Sequence, residues 1–102
     1  MSTGIIGGHL DITEKVWLQQ VRDLARTFGW ETYHTHNSLR SEKGWPDLVL
    51  ARPPRVLFVE LKREKGRATP AQEKWIRLLQ ECGLMAEIWR PSDWDRAVEV
   101  LR

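Results

Sequence analysis

Residues 44–66 read GWPDLVLARPPRVLFVELKREKG. Two short apolar runs, Leu48–Ala51 and Val56–Val59, flank the PP pair at Pro53 and Pro54. Leu48–Ala51 reads as a short strand and Val56–Lys62 as the next, and a turn this short predicts an antiparallel pair. Val56–Val59 is apolar at every position, as in a central strand covered on both faces. Asp47 stands at the mouth of the first run, and Glu60 and Lys62 at the end of the second. Charges there cost free energy unless they are paired, solvated or bound to a metal.

Working outward, Arg63 to Ala68 is a basic loop, and Lys62, Arg63, Lys65 and Arg67 fall within six residues. Thr69, Pro70 and Gln72 then predict a capped helix, with Thr at the cap, Pro first and Gln third. Trp75, Ile76, Leu78 and Leu79 supply its apolar face, and Cys82-Gly83 ends it. Met85–Trp89 alternates as a strand, and Ser92 and Asp95 predict the caps of a last helix reaching Leu101. Upstream, Ile12, Val16, Leu18, Val21, Leu24, Ala25 and Phe28 recur at three- and four-residue steps, predicting a helix over about Thr13–Phe28. Asp11 and Glu14 have the spacing of a capping box, and Gly29 suits a helix stop. Glu31–Thr35 reads as a strand and Asn37–Gly44 as a polar connection. Met1–Leu10 is glycine-rich and reads as a flexible arm before a single domain over 11–102. The order αβββαβα predicts an α/β fold, a mixed sheet flanked by helices. Its last strand lies parallel to the one before the crossover helix.

A chain of 102 residues with 41% hydrophobic and 29% charged residues fits one globular domain. Six tryptophans can fill a small core. Trp17, Trp30, Trp75 and Trp89 read as core, whereas Trp45 and Trp94 have the better claim to a partner contact. The single cysteine, Cys82, excludes an internal disulfide and suits a reducing compartment. No apolar run approaches a membrane span, and no signal peptide is recognisable. A net charge of +2 permits a nucleic-acid partner without requiring one.

Alternation on a strand points Glu60 and Lys62 to one side. The hairpin brings Asp47 close to Glu60, and two close carboxylates repel each other unless a cation lies between them. Oxygen ligands favour a hard ion such as Mg²⁺, which binds one or two carboxylates and keeps several waters. A lysine beside it suits phosphodiester hydrolysis. The alternative is a structural salt bridge.

Taken together, GWPDLVL and FVELK resemble the PD-(D/E)xK nuclease superfamily. More narrowly, the chain resembles the virus-type replication-repair nuclease (VRR-NUC) family. The further matches are Glu14, Gly29-Trp30, Tyr33–Thr35, Ser38, KGRATPAQ at Lys65–Gln72 and WRPSDW at Trp89–Trp94. The resemblance implies a restriction-endonuclease-like core in which Asp47, Glu60 and the carbonyl of Leu61 hold Mg²⁺ (or Mn²⁺) and Lys62 is the catalytic lysine. It makes Glu14 an outer or second-metal ligand, with helix capping as the alternative. Gln72 is placed near the site, again with capping as the alternative. The chain has Gly-Trp where similar members carry Gly-Phe or Gly-Val before the Pro-Asp. Stand-alone members act as homodimers on branched DNA such as four-way (Holliday) junctions, so a DNA-repair endonuclease in the cytoplasm of a bacterial or phage-infected cell is implied. A non-catalytic DNA-binding module on the same fold is the alternative.

Around the site, Arg40, Lys43, Arg63, Lys65 and Arg67 form a candidate phosphate rim, with Ser41 and Ser38 as possible donors and His34 as a DNA contact. His34 and His36 have an H-x-H spacing, but no further zinc ligand has fitting spacing. The letters HTHN lack the second module of an HNH nuclease. No element resembles a base-reading helix, so shape recognition is expected.

Overall fold

The computed structural model describes residues 10–35 and 42–102. Residues 1–9 of the arm expected over 1–10, and His36, Ser38, Arg40 and Ser41, lie outside the described residues. The elements are α1 (Glu14–Thr27), β1 (Glu31–His34), β2 (Leu48–Arg52), β3 (Arg55–Leu61), α2 (Pro70–Glu81), β4 (Met85–Trp89), a 3-10 turn at Pro91–Asp93 and α3 (Trp94–Leu101). The order of α1 through α3 is the one the sequence predicts. No described helix is long and apolar enough to cross a membrane.

The sheet runs β1-β2-β3-β4. The first two pairings are antiparallel, and β3 and β4 are parallel, as a helical crossover requires. Alternation on β3 sends Leu57, Val59 and Leu61 into one core with Trp17, Val21 and Ala25 of α1 and Ala97, Val100 and Leu101 of α3. Phe58 and Ile88 face the other way, toward Ile76 and Leu79 of α2. The sheet is therefore covered on both faces, which explains why β3 is almost wholly apolar. Val56 departs from that pattern and is 41% exposed. It adjoins the Pro53-Pro54 turn, outside the patch that α2 packs upon. Leu78, expected on the apolar face of α2, is also exposed, because the face is narrower than four residues.

Three tryptophans are buried, and their ring N–H groups find acceptors as burial demands. Trp17 Nε1 donates to the Trp89 carbonyl at 3.0 Å, and Trp30 Nε1 to the Leu101 carbonyl at 2.9 Å. Trp75 is half-buried. Trp45 and Trp94 are half-buried as well, but each packs within the chain. Trp45 meets Phe58 and Trp75 edge-on, and Trp94 lies 6.1 Å from Trp17.

The caps partly correct the sequence reading. The Thr13 hydroxyl, not Asp11, caps α1 by accepting from Val16 N at 3.1 Å. Asp11 instead pairs with Arg63 at 3.0 Å, so the Asp11–Glu14 box does not form. At α2 the box does form. Gln72 N donates to Thr69 Oγ1, and Thr69 N donates to Gln72 Oε1. At α3 the cap residue is Asp93 rather than Ser92 or Asp95. A 3-10 turn precedes the helix, and its Asp93 carboxylate accepts from Arg90 N at 2.8 Å.

Candidate active site

Four element ends meet at one edge of the sheet: the start of α1, the end of β1, the start of β2 and the end of β3. The register decides the meeting. Leu48 faces Val59 across the β2–β3 pair, so the next antiparallel step sets Asp47 against Glu60. Asp47 is held from both sides. Its carbonyl accepts from Thr35 N at 3.0 Å, and its Oδ2 accepts from Leu61 N at 2.9 Å. The carboxylate thus ends the ladder where a main-chain acceptor would otherwise continue it.

The approach to Asp47 is fixed by Gly44. Its φ is +85°, and a Cβ there would lie 2.5 Å from the main chain of Ala71. Only glycine lets this segment lie so close to the first turn of α2. Trp75 Nε1 holds it from the other side by donating to the Lys43 carbonyl at 3.1 Å.

Glu60 is 2% exposed and is the only buried charged residue among the described residues. Its Oε1 is buried with no hydrogen-bond partner among them. Burial, then the charge and shared hydrogen bond of Asp47, push its pKa from 4.5 up to about 9, with Lys62 pulling the other way. A buried carboxyl beside a second carboxylate, with one oxygen unpartnered among the described residues, is a standing energetic cost.

Lys62 leaves the strand here. Its N donates to the Trp89 carbonyl at 3.1 Å. Its ammonium, on a side chain only 12% exposed, lies 3.8 Å from Glu14 Oε2. Glu14 therefore meets the site through Lys62 from the first turn of α1. Among the described residues, no three His, Cys, Asp or Glu side chains gather into a ready-made metal cluster. Two carboxylates and a main-chain carbonyl are nonetheless the kind of donor set that Mg²⁺ accepts, with water completing its octahedron. The Glu60 oxygen left without a partner among the described residues supplies such a donor.

A cavity of about 400 Å³ opens over this edge, lined by Glu14, Lys15, Leu18, His34, Asp47 and Leu61. A second, of about 350 Å³, lies beyond Asp47 and includes Lys43, Trp45 and Gln72 in its walls. Asp47 is the wall common to both. Gln72 both caps α2 and lines this second cavity. Its Oε1 belongs to the cap, so its amide nitrogen is the group left for the cavity. Lys15 and Leu18 join the site without any catalytic signature in the sequence. Their signal was helical spacing, since Leu18 stands one turn from Glu14.

The expected rim is incompletely gathered. Lys43, Lys65 and Arg67 are exposed, whereas Arg63 is tied to Asp11. The loop that carries the last three is pinned. Arg90 donates to the Gly66 carbonyl at 2.8 Å, and Ser92 N donates to Glu64 Oε1 at 2.9 Å.

Two solved structures share this architecture. One, described as a VRR_NUC domain, superposes with a TM-score of 0.71 at 19% identity, covering 84% of this chain and 94% of its own. The other, a VRR_NUC domain protein, gives 0.67 at 22% identity, covering 89% and 86%. At such identities the likeness shows the fold. No curated protein matches the chain. The family model of the VRR-NUC domain matches residues 13–93. That span contains every element from α1 to the 3-10 turn, together with all the residues that meet at the sheet edge, and the chain belongs to the VRR-NUC domain family.

Proposed function

We propose that the chain is a Mg²⁺-dependent endonuclease that hydrolyses phosphodiester bonds in DNA. The observation that carries this is the Asp47–Glu60 pair: two carboxyl groups forced together at a strand end, one of them buried with an oxygen that has no partner among the described residues. A structural ion pair does not leave that arrangement behind. Asp47 and Glu60, with the Leu61 carbonyl, would hold Mg²⁺, and Mn²⁺ offers a similar fit. When bound, the cation supplies Lewis acidity at the scissile phosphate and a better nucleophile from water.

The chain's own residues do the rest. Lys62 presents an ammonium toward the same edge, where it donates to a phosphate oxygen or orients the attacking water. Glu14, 3.8 Å away, positions that ammonium. Leu61 N fixes the Asp47 carboxylate and so sets its distance from Glu60. His34 and Gln72 border the two cavities that meet at Asp47, which supports a role for them in contacting the strand on either side of the cut. Lys43, Lys65 and Arg67 are loop cations, suited to phosphates rather than base edges. Arg63 joins them if its pair with Asp11 opens. Arg40 and Ser41 belong to the same proposal by sequence alone.

Family membership supports a homodimer acting on branched DNA such as four-way junctions. A two-fold pair of sites makes symmetric nicks. The test incubates a labelled junction and a linear duplex with native protein, Lys62→Ala and Glu60→Ala in Mg²⁺. Cleavage by native protein alone, with binding kept in both variants, is the expected result. Binding without cleavage by native protein in Mg²⁺ or Mn²⁺ would make the chain a binding module. Equal cleavage of both substrates by a monomer would remove the junction preference and the dimer.

A further inference from the structure

Five of the ten described arginines are tied to a carbonyl or a carboxylate. Arg52 and Arg55 flank the Trp30 ring and donate to carbonyls at the end of α3. Arg90 holds Gly66, and Arg63 and Arg96 pair with carboxylates. Arg22 and Arg26 differ. Arg22 Nε donates to Thr32 Oγ1 at 3.1 Å, and Arg26 Nη2 donates to the same oxygen at 3.3 Å. Two guanidinium groups thus converge on one neutral hydroxyl. All fourteen Asp and Glu lie within the described residues, and none forms an ion pair with Arg22 or Arg26. No carboxylate lies within ion-pair distance of either like charge, and the neighbouring Asp23 accepts from Gln19 instead. An oxyanion is the acceptor that would relieve the two like charges.

Their placement names the anion. Lys15, Gln19, Arg22 and Arg26 recur at steps of four, three and four residues, which is one stripe of α1. Lys15 lines the cavity of the candidate active site. Thr32 and His34 stand on the same side of β1, two residues apart, so the stripe and the strand form one continuous edge. It runs about 16 Å from Lys15 to Arg26 at the helical rise. One strand of duplex DNA passes about five phosphates in that length. Glu31 borders the cavity beside Arg26 and Thr32, where its carboxylate disfavours a phosphate in that cavity.

We propose that the α1–β1 edge carrying Lys15, Arg22 and Arg26 holds the sugar–phosphate backbone of one DNA strand leading away from the candidate active site. This rests on the nuclease reading for the identity of the anion. An acidic protein segment is the other possible occupant. The stripe's origin at the cavity favours the substrate strand.

The test measures binding of a DNA junction by Lys62→Ala protein across a salt series, with and without Arg22→Gln/Arg26→Gln. Single-turnover cleavage by the same double variant in the native background accompanies it. The expected result is an affinity about tenfold weaker and a salt slope lower by one to two, since each phosphate contact contributes roughly 0.7–0.9. The cleavage rate at saturating DNA stays within twofold, and Arg22→Lys/Arg26→Lys restores the slope. A thermal melt checks that the variants are folded. Arg26 in the last turn also favours the helix dipole, but a helix effect alone moves the melt and leaves the slope. An unchanged slope in a folded variant, with the Lys62→Ala parent binding DNA, overturns this inference alone. Absence of DNA binding by both native and Lys62→Ala protein overturns it together with the nuclease reading.

Discussion

Replacing Glu60 by Gln should stabilise the metal-free protein while abolishing its use of metal. With a pKa raised from 4.5 to about 9, folded Glu60 keeps its proton at pH 7.5, whereas the unfolded chain gives it up. The folded state therefore binds more protons between these two values, so stability falls as pH rises through that window and levels off above it. At pH 7.5 the interval above 4.5 is three units, a cost of roughly 4 kcal/mol at about 1.4 kcal/mol per unit. Gln carries no such cost, although its amide must also find partners in the buried site. A gain of about 2–4 kcal/mol at pH 7.5 is expected, shrinking to near zero at pH 4.5. Urea unfolding in EDTA at half-unit steps from pH 5 to 9 reads this directly. The native midpoint should fall with pH and the Glu60→Gln midpoint should not. Calorimetric titration with Mg²⁺ at pH 7.5, in two buffers of different ionisation enthalpy, should show release of about one proton by native protein and no binding by the variant. Parallel pH profiles for the two proteins, or Mg²⁺ binding by native protein without proton release, would refute the reasoning.

Lys62→Met should lower single-turnover cleavage by at least about a hundredfold, with the DNA dissociation constant changed less than threefold; near-native cleavage rates would remove Lys62 from the chemistry. Gly44→Ala forces a Cβ to within 2.5 Å of the Ala71 main chain at φ +85°, and should cost about 2–4 kcal/mol in urea unfolding. Thr69→Ala and Gln72→Ala each break the α2 capping box and should cost about 1 kcal/mol. If Gln72 also meets substrate, only its variant raises the KM for DNA.

Much of the fold can be read from periodicity and turn chemistry. The Pro53-Pro54 turn set the β2–β3 register, and that register alone brought Asp47 to Glu60. The Thr69–Gln72 box was legible because all its parts lie within one turn. What failed to show was non-local. Asp11 has the spacing of a cap, but an arginine fifty-two residues away claims it, and Thr13 takes its place. Val56 belongs to an apolar run, yet the reach of α2 leaves it exposed. Glu14 has the spacing of a capping-box partner, yet the neighbour it meets is Lys62, 3.8 Å away and forty-eight residues along the chain. The convergence of Arg22 and Arg26 on Thr32 depends on how α1 lies against β1, which no spacing along the chain reveals.

The most direct test is where a divalent cation sits. Crystals of the protein soaked in Mn²⁺ give an anomalous difference peak wherever the ion binds. The geometry predicts one between the Asp47 and Glu60 carboxylates and the Leu61 carbonyl, absent in Glu60→Gln. A peak elsewhere with none at Asp47 and Glu60, or no peak at saturating Mn²⁺, would contradict the assignment of this pair as the metal-holding centre of the site.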